Sequence, residues 1–207
     1  MFITFEGIDG CGKSTQAKLL EERLRAAFPA NIVFVRDPGN TGISESIRAL
    51  ILDNKHTAMT ARTELLLYSA ARAQLVDTVI APALKNGAIV VSDRFTDSTI
   101  AYQSFGRGLP LEDIHRANSV ATGGLIPNLT FFLDVPLAHA KERCASKNAD
   151  RLESAGDEFF ERVIAGYQQL AVHEVERVKR LDATLTVEVI HEQIWDLASL
   201  AFALMPQ

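Results

Sequence analysis

Gly7, Gly12, Lys13 and Ser14 satisfy the spacing G-x-x-x-x-G-K-S within FITFEGIDGCGKST, residues 2–15. The chemistry suited to this spacing is the binding of a phosphate chain. Gly7, Gly10 and Gly12 let the backbone take conformations that a Cβ would forbid. Successive N–H groups, from Gly7 through Ile8, Asp9, Gly10, Cys11 and Gly12 to Thr15, can then turn toward phosphate oxygens. A helix starting here adds the positive end of its dipole. Lys13 brings a mobile point charge to the β- and γ-phosphates, and the Ser14 hydroxyl can join the shell of a Mg²⁺ ion. Asp9, inside the loop, is either a solvated carboxylate or a contact to metal or to a substrate hydroxyl.

Further candidates follow later strand-like runs. Arg36 precedes the turn that Pro38 and Gly39 dictate, where a second anion can sit. Arg48 is on the next helix, from Ile43 to Leu52, where a lone arginine is as readily solvated. On a long helical stretch from Arg62 to Asn86, Tyr68 and Arg72 are one turn apart. They could hold a flat base, one stacking and one hydrogen bonding, or Tyr68 is core and Arg72 surface. The apolar run Ala88–Ser92 ends in Asp93-Arg94, a carboxylate placed for Mg²⁺ and a guanidinium able to grip phosphate through two N–H groups. Asp134 is a rival for the metal, but Val135-Pro136 reads as a helix start that Asp134 caps. Thr99, Tyr102 and Gln103 lie three and four apart, so one helical face offers a hydroxyl, a phenol and an amide to a base and sugar. Arg143, Lys147 and Arg151 bring positive charge to a polar stretch, either a solvated loop or a mobile lid over a transferring phosphoryl group.

The elements that must position these residues alternate along the chain. Strand-like runs at Phe2–Phe5, Ile32–Val35, Ala88–Val91, Leu129–Leu133 and, more weakly, Arg177–Leu181 are separated by helical patterns. The last helix, about Thr184 to Leu204, carries the lone Trp195. Such alternation implies βαβ crossovers and a parallel sheet with helices on both faces, an α/β fold with its ligands at the carboxyl ends of the strands. At 207 residues, 47% apolar and 23% charged, the chain suits one domain, residues 1–207, with a lid around 143–153. No apolar run approaches the roughly 20 residues of a membrane span. The net charge of -5, with no long run of Lys or Arg, argues against a nucleic-acid surface. Cys11 and Cys144 show no zinc or disulfide spacing, and the N-terminus carries no leader pattern, so a reducing cytoplasm is expected.

With these residues in view, the chain resembles the bacterial thymidylate kinases. The likeness rests on EGIDGCGKSTQAKLL (6–20), TELLLYSAARAQ (63–74), SDRFTDSTIAYQ (92–103) with GRG (106–108), ATGGLIPNLTFFLDVP (121–136), and DRLES with EFFERVIAGYQQLA (150–171). The resemblance implies a five-stranded parallel sheet wrapped by helices, in a homodimer. It implies transfer of the γ-phosphoryl of MgATP to dTMP, giving dTDP. A kinase for another or 5-modified pyrimidine deoxynucleoside monophosphate is the alternative. By position, the loop amides, Lys13 and Arg143 would hold ATP, and Ser14 and Asp93 the Mg²⁺. Asp9 would approach a 3′-hydroxyl or the metal. Arg36, Pro38, Arg48 and Arg94 would surround the dTMP phosphate. Tyr68 would stack on thymine, Arg72 would bond its carbonyl edge, and Thr99 and Gln103 would read it. Tyr102 would lie against the sugar, where a 2′-hydroxyl clashes. Lys13, Arg94, Arg151 and Asp9 would be the catalytic set, Arg151 being the lid arginine.

Overall fold

The computed structural model of the chain describes residues 1–28, 31–144 and 150–203. Strand β1 is Phe2–Glu6, and helix α1, Lys13–Ala27, follows the glycine loop. Strand β2 is Ile32–Arg36 and helix α2 is Gly42–Leu52, its first turn capped by Thr41, which accepts from Ser44 N–H at 3.1 Å. Helix α3 spans Ala61–Leu75 and passes through a π turn, Val76–Ile80, into α4, Ala81–Lys85. Strand β3 is Ile89–Asp93, followed by the short α5, Thr96–Thr99, and a π-helical segment, Ile100–Gly106. Then come α6 (Leu111–Thr122), β4 (Leu129–Asp134), α7 (Leu137–Cys144), α8 (Asp157–His173), β5 (Val178–Asp182) and α9 (Val187–Ala203).

The five strands are all parallel, in the order β2-β3-β1-β4-β5. β1 is central and buried at every residue, as its Phe-Ile-Thr-Phe composition requires of a strand covered on both faces. Alternate residues feed the two layers: Ile3 and Phe5 join one apolar cluster, Phe2 the other. The chain winds from β1 to β2 and β3 on one side, then to β4 and β5 on the other. That reversal opens a crevice at the carboxyl end of β1. Register sets the chemistry there, because Arg36 pairs with Asp93 and Asp93 with Phe5.

Three helical expectations change. The stretch read as one helix, Arg62 to Asn86, contains the π turn, because Pro82 has no N–H to continue the regular ladder; Ala81 N–H instead reaches Val76 O. The face carrying Tyr102 and Gln103 is a wide π turn closed by Arg107 N–H on Tyr102 O at 2.9 Å. The last helix starts at Val187 rather than Thr184, with Ile190 N–H on Thr186 O.

Helix α8 lies against the π segment, and Gly166 permits that approach. A Cβ there would stand 2.8 Å from the Phe105 ring. Alanine normally stabilises a helix interior over glycine by about 1 kcal/mol. Here overpacking against Phe105 outweighs that gain, and Gly166→Ala lowers stability by about 1–3 kcal/mol in urea unfolding.

Candidate active site

The loop between β1 and α1 is built on left-handed backbone, with φ of 138° at Gly7, 81° at Gly10 and 100° at Gly12. A Cβ on Gly7 would meet Leu133 O at 2.7 Å, so the loop also lies too close to β4 for a side chain. Lys13 is buried and folds back onto its own loop, donating to Gly7 O at 3.0 Å and Ile8 O at 2.8 Å. Asp9 pairs with Lys13 at 3.6 Å. Ser14 Oγ donates to Asp93 Oδ2 at 2.8 Å, while Asp93 Oδ1 is buried without a hydrogen-bond partner among the described residues. Gly10, Gly12, Lys13, Ser14, Thr15 and Asp93 line one cavity, with Arg36 and Arg143 at its walls. Arg143 donates to Gly10 O at 3.3 Å and Ala183 O at 3.0 Å.

A second cavity opens beside the first, lined by Pro38, Tyr68, Arg72, Thr99, Tyr102 and Gln103. Asp9, Arg48, Arg94 and Asp150 line both cavities. Arg94 has a φ of 71°, rare for a residue with a side chain. Its guanidinium donates to Gly7 O at 2.8 Å, Asp9 Oδ1 at 2.7 Å and Ser98 Oγ at 3.2 Å, and it sits 5.2 Å over the Tyr102 ring. Burial favours protonated Asp9, but the charges of Arg94 and Lys13 prevail and hold its pKa below the usual carboxylate range. Arg48 donates to Pro38 O at 3.3 Å. The hydroxyls of Thr99 and Tyr102 are buried with no partner among the described residues, polar groups of the kind a bound ligand satisfies.

Arg72 is fully buried rather than a surface residue. It donates to Asp37 Oδ2 at 2.5 Å, Asn118 Oδ1 at 2.8 Å and Phe95 O at 3.1 Å. Removing one partner of such a buried pair costs about 3–5 kcal/mol.

A family model described as thymidylate kinase matches residues 5–194. The chain is 46% identical to a thymidylate kinase of Desulforudis audaxviator, covering 94% of this chain and 88% of that one. It is 46% identical to one of Kosmotoga olearia, covering 94% and 93%. A crystal structure of thymidylate kinase from Ehrlichia chaffeensis matches with a TM-score of 0.79 at 33% identity, over 96% of this chain and 98% of that one. The chain belongs to the thymidylate kinase family.

Within this thymidylate kinase fold, two expected residues are placed apart from their expected partners. Arg36 turns to Glu45 at 3.0 Å and lines only the phosphate-loop cavity, not the one holding Pro38 and Tyr68. Arg151 lines neither cavity. It donates to Ile51 O at 2.7 Å and to Glu64 Oε2 at 2.6 Å, because the buried Glu64 carboxylate is the stronger attractor. Asp134, set aside as a metal ligand, accepts from Arg180 at 2.7 Å and from Gln168, and it lines neither cavity. Lys147 and the rest of 145–149, in the expected lid, lie outside the described residues.

Two carboxylates were not foreseen. Glu64 stands at i, i+4 and i+8 with Tyr68 and Arg72, a spacing that does mark it. Glu6, a charge ending an apolar strand, accepts from Phe95 N–H at 2.7 Å, Ser98 Oγ at 2.6 Å and Tyr167 Oη at 2.9 Å. It thereby fixes Phe95, the residue that follows the Arg94 corner, together with Ser98. Burial, then the charge of Asp97, push Glu6 up to about 7 from an ordinary 4.5. The folded chain keeps this proton to higher pH than the unfolded chain does. Its contribution is therefore full below about 4.5 and lost as pH rises through about 7. Unfolding at pH 5 and pH 8 shows the wild type losing on the order of 2 kcal/mol more than Glu6→Gln across that window.

Proposed function

We propose that this chain transfers the γ-phosphoryl of MgATP to dTMP, giving dTDP and ADP. Family membership supports the reaction. The observation that carries its assignment to these residues is the pair of adjoining cavities, whose shared wall of Asp9, Arg48, Arg94 and Asp150 includes two guanidinium groups. A donor phosphate chain on the glycine loop and an acceptor phosphate beside Pro38 then meet at one guanidinium.

The acceptor is already an anion, so the reaction needs positioning and charge neutralisation rather than a strong base. Lys13, freed from Gly7 O and Ile8 O, supplies charge to the transferred group. Arg94 holds the two phosphates against each other, and Arg48 adds charge on the acceptor side. The donor set fits magnesium: the Ser14 hydroxyl and the unpartnered Asp93 Oδ1 are hard oxygen ligands at the loop. Magnesium there would neutralise charge on the donor phosphates. Tyr68 and Gln103 receive the base, and Tyr102 packs where a ribose 2′-hydroxyl would intrude. Arg151 reaches the phosphates only by leaving Glu64, so we read 143–153 as a lid that closes on substrate. A homodimer accords with the exposed Ile43 and Leu50 on α2 and Leu66 on α3. A cytoplasmic setting accords with the buried thiol of Cys11. Among the described residues no helix is long and apolar enough to cross a membrane.

ADP release with MgATP and a panel of monophosphates tests the assignment. Turnover is highest with dTMP, lower with dUMP and near background with UMP. Greater activity on another nucleotide overturns it. Lys13→Ala lowers kcat by about 10²–10³-fold; near-normal turnover excludes the role given to Lys13.

A further inference from the structure

Glu64 is 1% exposed and has no place in the phosphoryl chemistry. Its Oε1 accepts from Gln103 Nε2 at 2.9 Å and from Arg107 Nε at 3.1 Å. Its Oε2 accepts from Arg107 Nη2 at 3.1 Å and from Arg151 Nη2 at 2.6 Å. Burial alone raises its pKa, but hydrogen bonds from Arg107 and Gln103 outweigh burial and lower it, so Glu64 is ionised. An ionised carboxylate only accepts hydrogen bonds. Gln103 must therefore turn its NH₂ toward Glu64. The amide oxygen is the half of Gln103 left for the cavity that Gln103 lines.

We propose that Glu64 is a positioning residue for base selection, holding the Gln103 amide so that an acceptor, not a donor, meets the base. This rests on the reading of that cavity as the pyrimidine site. Thymine and uracil carry an N3–H, which that oxygen accepts. Cytosine presents an N3 lone pair, which it repels. Arg72, in the same wall, is a donor only, matching a 4-oxo group and opposing a 4-amino group. Glu64 thus imposes a choice between bases without touching the nucleotide.

Glu64→Gln tests this. Unlike the carboxylate, its neutral amide can donate to Gln103 as well as accept from it. The new amide nitrogen then faces Gln103, which turns its own oxygen inward and offers NH₂ to the cavity. The readout is kcat/KM for dTMP, dUMP and dCMP. The dTMP:dCMP ratio falls at least roughly tenfold, the scale of one lost or opposed hydrogen bond. The dTMP:dUMP ratio stays within about twofold, since both bases carry N3–H. A merely structural role would lower all three values together, and that outcome, or unchanged ratios, overturns the proposal. Arg107→Ala removes a charged partner of Glu64 but keeps the bond to Gln103, so its dTMP:dCMP ratio stays within about twofold; a fall there also overturns it. Should Glu64→Gln fail to fold, Glu64→Asp keeps the negative charge while drawing back from Gln103, and the same fall in dTMP:dCMP is expected, an unchanged ratio refuting it. Wild-type enzyme inactive on dTMP would instead refute the pyrimidine site itself.

Discussion

The contact of Arg94 with Asp9 and Gly7 O is what the two cavities share, and the local structure is arranged to hold it. Leaving β3 at a φ of 71° costs on the order of 1–3 kcal/mol for a residue with a side chain. The corner is held from several sides. Arg94 N–H bonds Phe5 O at 2.9 Å, Phe95 N–H bonds Glu6, and Ser92 Oγ bonds Arg94 O at 2.7 Å. The strained turn points the guanidinium back over β1 toward the glycine loop. An unstrained continuation of β3 would carry it along the strand direction, away from Asp9.

Around that corner the charges are placed in pairs that burial alone would forbid. Burial works against a charged Arg94, but Tyr102, Asp9, Tyr167 and Asp93 outweigh it and keep its pKa well above the ordinary value. Arg72 and Asp37 neutralise each other in the wall of the cavity that Tyr68 and Gln103 line. Glu64 gathers Arg107, Arg151 and Gln103. Each network joins segments distant in the chain, so the cavity walls are fixed by tertiary contacts rather than by the helices that carry them.

Much of this architecture was legible in the sequence, because it is local. The glycine spacing, the apolar runs and the carboxylate ending β3 each need only neighbouring residues to be read. Strand β3 runs on to Asp93, whose Oδ2 accepts from Ser14 of the glycine loop. What was not legible depends on distant partners. Arg72 reads as exposed on its helix until Asp37 and Asn118 are brought to it. Arg151 reads as a free lid cation until Glu64, 87 positions away, captures it. The π turns have a local trace at Pro82, but the one at Ile100–Gly106 is set by packing on α8, where Gly106 and Gly166 admit Phe159 and Phe105.

The account places one guanidinium between donor and acceptor phosphates, so the most direct measurement is single-turnover phosphoryl transfer by Arg94→Lys. Lysine keeps the charge but not the planar fork that reaches Gly7 O and Asp9 together. The account predicts a rate of transfer lower by about 10²–10³-fold at saturating MgATP and dTMP, with the fold intact by circular dichroism. A folded Arg94→Lys enzyme that transfers within about threefold of the wild-type rate would contradict it.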